Sequence, residues 1–235
     1  MNTLLKPILA GSLSLIFIPL ALSAPIAVTN GSFEVAPSGG LPNSAGCTGL
    51  GCSFSVGVGA IPGWRNAGAS GEAIFGIQVG NHFAFDTIPD GIAVAYSNGP
   101  IISQTVGALV QQGVTYTLHV DLGVRHDVPN FSASADLLVN GTKYHSVGSI
   151  PTPGNWSTFT STYVGLAADV GKSITIELGS AVNTFPPQAD FDNVRLNTDV
   201  PAVPEPMSSH MLAAGLVGLL FFRGIKQHGR EHDGA

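Results

Sequence analysis

Short segments rich in β-branched and aromatic residues follow one another through the middle of the 235-residue chain. Several alternate apolar and polar residues with a period of two, which is typical of strands with one buried face. Turn signals separate them, and Asn140-Gly141 favours a tight hairpin because both residues tolerate positive φ. No convincing amphipathic helix occurs within 25–206, so the pattern predicts an all-β fold, an antiparallel sandwich or barrel. The predicted strands are 91–97, 114–124, 134–140, 156–164, 173–179 and 190–196.

The N-terminal segment has the layout of a secretory signal peptide. Lys6 is followed by a long apolar stretch and then by small residues up to Ala24. A basic start, an apolar middle and a small-residue end are the three parts of such a signal. We therefore expect a signal helix within 1–24, cleaved after Ala24. A retained membrane anchor is the alternative, because the apolar run is long for a signal.

A second apolar segment lies near the C-terminus, between Met207 and Phe222, and contains no charged residue. As a helix it would be about 24 Å long, barely enough for a hydrocarbon core of about 30 Å. Basic residues follow at once and, by the positive-inside rule, would stay in the cytoplasm. We expect a short transmembrane helix and basic tail over 207–235, joined to the domain by a Pro-rich linker, 198–206. A plain C-terminal membrane anchor is the alternative. The basic residues are Arg223, Lys226 and Arg230.

The residues Val203, Pro204, Glu205 and Pro206, the apolar run and the basic cluster together resemble the PEP-CTERM sorting signal of Gram-negative bacteria. The resemblance implies cleavage near the Pro-Glu-Pro motif by a membrane-embedded exosortase. It also implies export, transient anchoring in the inner membrane, and then a place at the cell surface or in an exopolysaccharide and biofilm matrix. Residues 231–235 run past the basic cluster and depart from the pattern.

The domain between the terminal segments is acidic. Residues 25–206 contain thirteen acidic and five basic residues, a net charge of −8. A nucleic-acid binder needs a basic surface that neutralises phosphates, so nucleic acid is excluded as a partner. Carboxylate oxygens on an exported domain suit Ca²⁺ better.

The chain has two cysteines, Cys47 and Cys52, close together in a Gly-rich stretch. In an exported protein they would meet an oxidising compartment, so we expect a disulfide between them. A metal or redox role is the weaker interpretation, because two cysteines alone do not complete a zinc site.

Five short motifs together resemble the galactose-binding-like jelly rolls of carbohydrate-binding modules. The resemblance covers roughly 26–197 and implies a jelly-roll β-sandwich over 25–197. It also implies one structural calcium ion, held by Glu34, Asp192 and backbone carbonyls. From the residues alone, Asp192 lies in an apolar pattern and needs a partner: Ca²⁺, Arg195 or backbone N–H groups. The motifs are VTNGSFE (28–34), IPGW (61–64), SQTV (103–106), GNW (154–156) and QADFDNVRL (188–196).

Sugar binding usually needs an exposed aromatic platform and nearby polar groups. Core or rim packing is the alternative role for the two tryptophans. We expect a non-catalytic protein that binds polysaccharide, with a structural matrix protein as the alternative. A secreted hydrolase is less favoured, because no HExxH, GxSxG or P-loop motif occurs and the acidic and His residues of 119–127 suit an exposed strand end. The candidate ligand-binding residues are Trp64, His82, Tyr96 and Trp156.

Overall fold

The computed structural model describes residues 22–44, 52–66, 74–79, 84–180 and 188–200. The chain divides into two units, and these residues lie in the unit that comprises 21–201. Within them there are twelve β-strands and one short 3₁₀ turn, Ala167–Asp169. The strands are β1 Leu22–Ile26, β2 Ser53–Phe54, β3 Arg65–Asn66, β4 Phe75–Val79, β5 Ala93–Ser97, β6 Ile102–Leu109, β7 Thr115–Gly123, β8 Ala133–Val139, β9 Thr142–His145, β10 Trp156–Val164, β11 Ser173–Ser180 and β12 Ala189–Val200.

Two antiparallel sheets make up the fold. The first, called sheet A here, has the order β10-β7-β12-β5-β4-β2, and β1 also pairs with β12. The second, sheet B, has the order β3-β6-β11-β8-β9. The predicted all-β sandwich is confirmed. The predicted transmembrane helix lies outside the described residues, and so does nearly all of the predicted signal segment.

The core lies between the sheets and follows from the period-two alternation. Every second residue of β11 and β7 is fully buried, while its neighbours face outward. Each large aliphatic side chain that is removed from water in this way contributes about 1.5–3 kcal/mol before entropy is counted. The fully buried residues of these strands include Leu118, Val120, Leu122, Ile174, Ile176 and Leu178.

A bulge interrupts β12 where it crosses the middle of sheet A. The register shifts between Asp192 and Arg195, and Asn193 has a φ of 51°. Asn tolerates this left-handed conformation better than most residues. Because of the extra residue, Phe191 and Val194 both face the core although three positions separate them. The side chain of Asp192 is therefore kept off the core.

Candidate functional site

A row of five residues crosses the outer face of sheet A, and we call it the Asp190 row. Strand pairing places Trp156 opposite Gly123, Gly123 opposite Asp190, Asp190 opposite Tyr96, and Tyr96 opposite Gly76. Residues that lie opposite each other in adjacent strands share one face of the sheet. That face is turned away from the core, because the next residue along β12, Phe191, belongs to the core. The row brings together residues that lie far apart in the sequence.

The centre of the row is a buried carboxyl group. Asp190 has no exposed surface, and its Oδ1 accepts a hydrogen bond from Gln188 Nε2 at 2.8 Å. Its Oδ2 has no hydrogen-bond partner among the residues that the structure describes. Burial raises the pKa of Asp190 to about 7, although the charge of Arg125 and the bond from Gln188 oppose the rise. Asp190 can therefore carry a proton near neutral pH.

The nearby guanidinium of Arg125 is paired with Asp127. Its Nε and Nη2 donate to the two carboxylate oxygens of Asp127 at 2.8 and 2.7 Å. Burial lowers the pKa of Arg125, but this paired contact and the charge of Asp190 outweigh it, so the pKa lies above its ordinary value. Because Asp127 neutralises much of this positive charge, the cation does not hold Asp190 in its ionised form.

Aromatic rings lie on both sides of Asp190. The rings of Phe85 and Trp156 are 4.5 Å apart at their centroids and lie over Gly123, where a Cβ would come within 2.9 Å of both. Trp156 is half-buried, and its Nε1 donates to Thr87 O at 2.9 Å. On the other side, burial raises the pKa of Tyr96 and the charge of Asp190 adds to the rise. Aromatic walls around one polar group suit a small aromatic ligand.

The segment 84–92 crosses the outer face of sheet A beside the row. Backbone–backbone bonds fix its N-terminal end, and two carboxylates accept N–H groups at its C-terminal end. This segment gives the site its Phe85 wall. The bonds are His126 N to Ala84 O at 2.9 Å, Asp86 N to Gly154 O at 2.9 Å, Asp90 N to Asp192 Oδ2 at 2.9 Å, and Ile92 N and Ala93 N to Glu34 Oε1 at 2.9 and 2.8 Å.

The residues predicted to bind calcium, Glu34 and Asp192, both accept backbone N–H groups in this structure. Asp192 is fully buried, and burial raises its pKa to about 8. Its Oδ1 takes the N–H of Asn193 at 2.7 Å, so backbone N–H groups are its partners, while Arg195 donates to a carbonyl instead. No group of three or more His, Cys, Asp or Glu side chains in the described ranges is placed to hold a metal ion. The calcium ion stays a prediction.

Metal removal tests that prediction. A calcium ion bound to the folded state alone would stabilise it by mass action. The sequence interpretation therefore expects EDTA to lower the melting temperature by several degrees and added Ca²⁺ to restore it. Differential scanning calorimetry measures both changes, with Mg²⁺ as the control for ionic strength. A melting temperature that EDTA leaves unchanged would show that backbone N–H groups alone satisfy Glu34 and Asp192.

The four predicted ligand-binding residues do not form one cluster. Tyr96 and Trp156 belong to the Asp190 row. Trp64 instead packs in the core against Phe33, with 5.6 Å between ring centroids, and its Nε1 donates to Thr29 O at 3.1 Å. Trp64 therefore offers no exposed platform, since its rings and its N–H group are all occupied inside the fold. His82 lies outside the described residues.

Several further predictions concern residues that the structure does not describe. Cys52 is buried and disulfide-bonded, whereas Cys47 lies outside the described ranges. Residues 1–21 and 201–235 also lie outside them, so the signal peptide, the sorting signal and the export route stay predictions. The first three residues of the predicted linker 198–206 belong to β12. Leu22–Ile26 forms β1 and pairs with β12, so this strand begins before the predicted cleavage point at Ala24. The described part of the chain contains no helix with the length and hydrophobicity that a membrane crossing requires.

Sequence reasoning missed Asp190, Phe85 and Arg125 as members of one site. A signal for Asp190 was present, because residues two apart in a strand share a face and Asp192 already had a proposed role. Arg125 lies in a stretch, 119–127, that had the composition of an acid–base site. Phe85 carried no signal, because its position depends on how the segment 84–92 folds back over the sheet.

Comparison with known proteins identifies a relationship over most of the domain. The family model HpiC1-like, described as HpiC1 cyclase, matches residues 24–197. None of the curated proteins is significantly similar to this sequence.

Three solved structures show the range of structural similarity. The Stig cyclase Fisc from Fischerella sp. TAU, in complex with (3Z)-3-(1-methyl-2-pyrrolidinylidene)-3H-indole, is 22% identical, with a TM-score of 0.58 over 77% of this chain and 100% of that chain. A cyclase from Fischerella sp. TAU with 4-(1H-indol-3-yl)butan-2-one is 22% identical, with a TM-score of 0.57 and the same coverage. The CBM22-2 xylan-binding domain of Paenibacillus barcinonensis Xyn10C is 10% identical, with a TM-score of 0.40 over 61% of this chain and 93% of that chain, too distant to support any functional argument.

These findings correct the functional expectations from the sequence. The prediction of a non-catalytic polysaccharide-binding protein is wrong, because the family that matches the domain is a family of cyclases. The prediction that polysaccharide and an exosortase are partners is wrong for the same reason. The comparisons give no support to the PEP-CTERM and biofilm interpretation. The physical reason is that one β-sandwich fold carries unrelated sites, so a likeness in strand motifs does not determine function.

Proposed function

Because this chain belongs to the HpiC1-like family of cyclases, we propose that it is an enzyme that closes a ring in a small aromatic substrate after proton transfer from Asp190. One observation carries the proposal: the buried carboxyl of Asp190 has an unpartnered Oδ2 between aromatic side chains. A buried carboxyl oxygen without a hydrogen-bond partner costs the folded state free energy. Groups with shifted pKa values cluster at functional sites.

The proposed reaction is an isomerisation that needs no co-reactant. Asp190 donates a proton to an unsaturated carbon of the substrate, and the carboxylate remains. The resulting cation is attacked by an electron-rich carbon of the same molecule, which forms the new carbon–carbon bond. Loss of a proton from the ring-closed cation restores neutrality, so the product has the same atoms as the substrate. General acid catalysis of this kind contributes about 10²–10⁴-fold to a rate.

Neighbouring residues have separate tasks in this mechanism. Gln188 binds Oδ1 and so leaves Oδ2 as the oxygen that carries the transferable proton. The faces of Phe85 and Trp156 carry negative quadrupole charge, which stabilises a cation that forms beside them by about 0.5–2 kcal/mol. A bound substrate would cover Asp190 and the two rings, so water would have little access to the cation before the ring closes.

The proposed substrate class is an indole or a similar flat aromatic compound with an unsaturated side chain. The aromatic walls on both sides of Asp190 support this choice. The Fischerella cyclase structures contain indole compounds, which is consistent with it. An acid-initiated cyclisation also requires an alkene that can accept the proton and a nucleophilic ring carbon within reach of it.

The experiment is a turnover assay with indoles that carry alkenyl chains of different length at C3. We expect a product of unchanged mass and altered retention time, formed in proportion to enzyme concentration, with heat-denatured protein as the control. The compound 4-(1H-indol-3-yl)butan-2-one, which has no alkene, should inhibit without reacting. No isomerised product from any of these indoles would contradict the proposal, whether or not the ketone binds.

The pH dependence of the reaction follows from the protonation state of Asp190. The protonated form is the donor, and burial raises the pKa of this group to about 7. The donor is therefore present below pH 7 and is lost as the pH rises through 7. We expect log kcat/KM to fall with a slope of −1 above about pH 7. A kcat/KM that rises between pH 7 and 9, where the folded state is intact by circular dichroism, would contradict this assignment.

A further inference from the structure

A second acid–base pair lies at the exposed edge of the aromatic walls. His126 Nε2 and Asp86 Oδ1 are 2.9 Å apart, and their side chains are 45% and 58% exposed. Asn155 Nδ2 donates to the other carboxylate oxygen of Asp86 at 3.4 Å. The imidazole ring lies against Gly154, whose φ is +84° and where a Cβ would clash with the ring. These contacts hold the imidazole in one place.

Chain connectivity places this pair next to the Asp190 row. Asp86 directly follows Phe85, and Asn155 directly precedes Trp156, so the pair borders both rings of the aromatic walls. Asp190 lies on the other side of the same rings, across Gly123. A flat molecule in contact with these rings would therefore have Asp190 at one edge and His126 at another.

We propose that His126, oriented by Asp86, is the base that removes the proton from the ring-closed cation. This inference rests on the proposed function. Because a carboxylate oxygen accepts, we assign the proton to Nε2, which then donates to Asp86. This tautomer leaves Nδ1 with a lone pair, and the described part of the chain provides no hydrogen-bond partner for it. A carboxylate that holds one imidazole nitrogen and frees the other is the arrangement of a general base.

The proton-removal step balances without a further reagent. A C–H bond of the cyclic cation breaks, its electron pair forms a carbon–carbon double bond, and the proton binds Nδ1. The resulting imidazolium is stabilised by the carboxylate of Asp86 and then loses the proton to solvent. Solvent returns a proton to Asp190. Among the described residues, Asp127 interacts electrostatically with His126, and its charge is offset by the paired contact with Arg125.

A purely structural role for the pair would be to fasten the segment 84–92 to the turn at 153–155. That connection already exists in the backbone, because His126 N binds Ala84 O and Asp86 N binds Gly154 O, each at 2.9 Å. The side-chain bond between two exposed residues adds little stability to this connection. The imidazole is therefore free to serve a chemical role.

The test compares His126→Gln with a matched control in the turnover assay with C3-alkenyl indoles. The Gln amide keeps a donor for Asp86 but provides no base. We expect kcat to fall by about 10²-fold or more while KM stays within about twofold, and added imidazole should restore part of the rate. The control is His145→Gln, which removes another Asp-paired histidine, on sheet B, where His145 Nδ1 contacts Asp136 at 2.7 Å. This control should keep the wild-type kcat.

The outcomes separate this inference from the proposed function. If wild type and His145→Gln turn over and His126→Gln matches them within twofold, the base assignment is overturned and the cyclase proposal stands. A slow His126→Gln variant that imidazole does not rescue assigns the residue a structural role and also overturns the inference. A wild-type protein that isomerises none of the indoles overturns both.

Discussion

Asp190→Asn should lower kcat by about 10²–10⁴-fold in the turnover assay with C3-alkenyl indoles. The amide has nearly the shape of the carboxyl group and can still bond to Gln188, but it has no acidic proton to transfer. Because no ionised group remains in the buried position, the variant should be at least as stable as the wild type above pH 7. Steady-state kinetics measures the first effect, and thermal unfolding measures the second.

The matched control is Asp136→Asn, which changes a buried carboxyl on sheet B. Asp136 is 6% exposed and bonds to His145, far from the Asp190 row in the sheet order. This variant should keep the wild-type kcat. An Asp190→Asn variant with at least half of the wild-type kcat would show that another group donates the proton.

Gly76→Ala should lower the free energy of unfolding by about 1–3 kcal/mol, as expected for overpacking in a closed site. Gly76 lies in β4 beneath the chain at Ser55, and a Cβ there would clash with the Ser55 carbonyl oxygen. The same oxygen accepts the hydroxyl of Tyr96 at 2.7 Å. Moving it would therefore loosen Tyr96 as well, and the variant should also bind 4-(1H-indol-3-yl)butan-2-one more weakly. Urea unfolding and calorimetric titration measure the two effects.

Gly107→Ala is the control for a glycine-to-alanine change in a strand. Gly107 lies in β6 with no atom within 4 Å of the added Cβ, and its φ is not positive. The change should be neutral or should stabilise the protein by up to about 1 kcal/mol, because it restricts the unfolded chain. If Gly76→Ala were as stable as Gly107→Ala, the close approach of Ser55 to β4 would not limit the size of the residue at position 76, and the predicted loss of unfolding free energy would be wrong.

The strands that the sequence predicted are those with strong alternation or dense β-branched residues. Segments 114–124 and 156–164 became β7 and β10 within a residue or two at each end. In the strand β6, Ile102–Leu109, buried and exposed residues alternate clearly, but the sequence predicted only the short motif 103–106 there. Short strands such as β2 and β3 have two residues each, which is too short for any period to show. Their pairing depends on the chain around them.

The sequence allowed single residues of the candidate site to be predicted, but not their arrangement. Tyr96 and Trp156 were predicted as aromatic ligand-binding residues, and the structure places both beside Asp190. What the sequence did not contain was the register that joins β10, β7, β12 and β5, because strand order and register depend on the packing of the whole sandwich. Because the strand register was unknown, the sequence interpretation wrongly favoured polysaccharide binding. Aromatic and acidic residues on a β-sandwich fit sugar binding and acid catalysis equally well until their mutual positions are known.

The most direct test of the central claim is turnover of a C3-alkenyl indole in D₂O, followed by mass spectrometry and NMR of the product. Proton transfer from Asp190 to carbon, followed by loss of a different proton, should give a cyclised product that carries one deuterium on carbon at the protonated position. A cyclised product with no deuterium on carbon would show that the ring closes without proton donation, and would contradict the role assigned to Asp190.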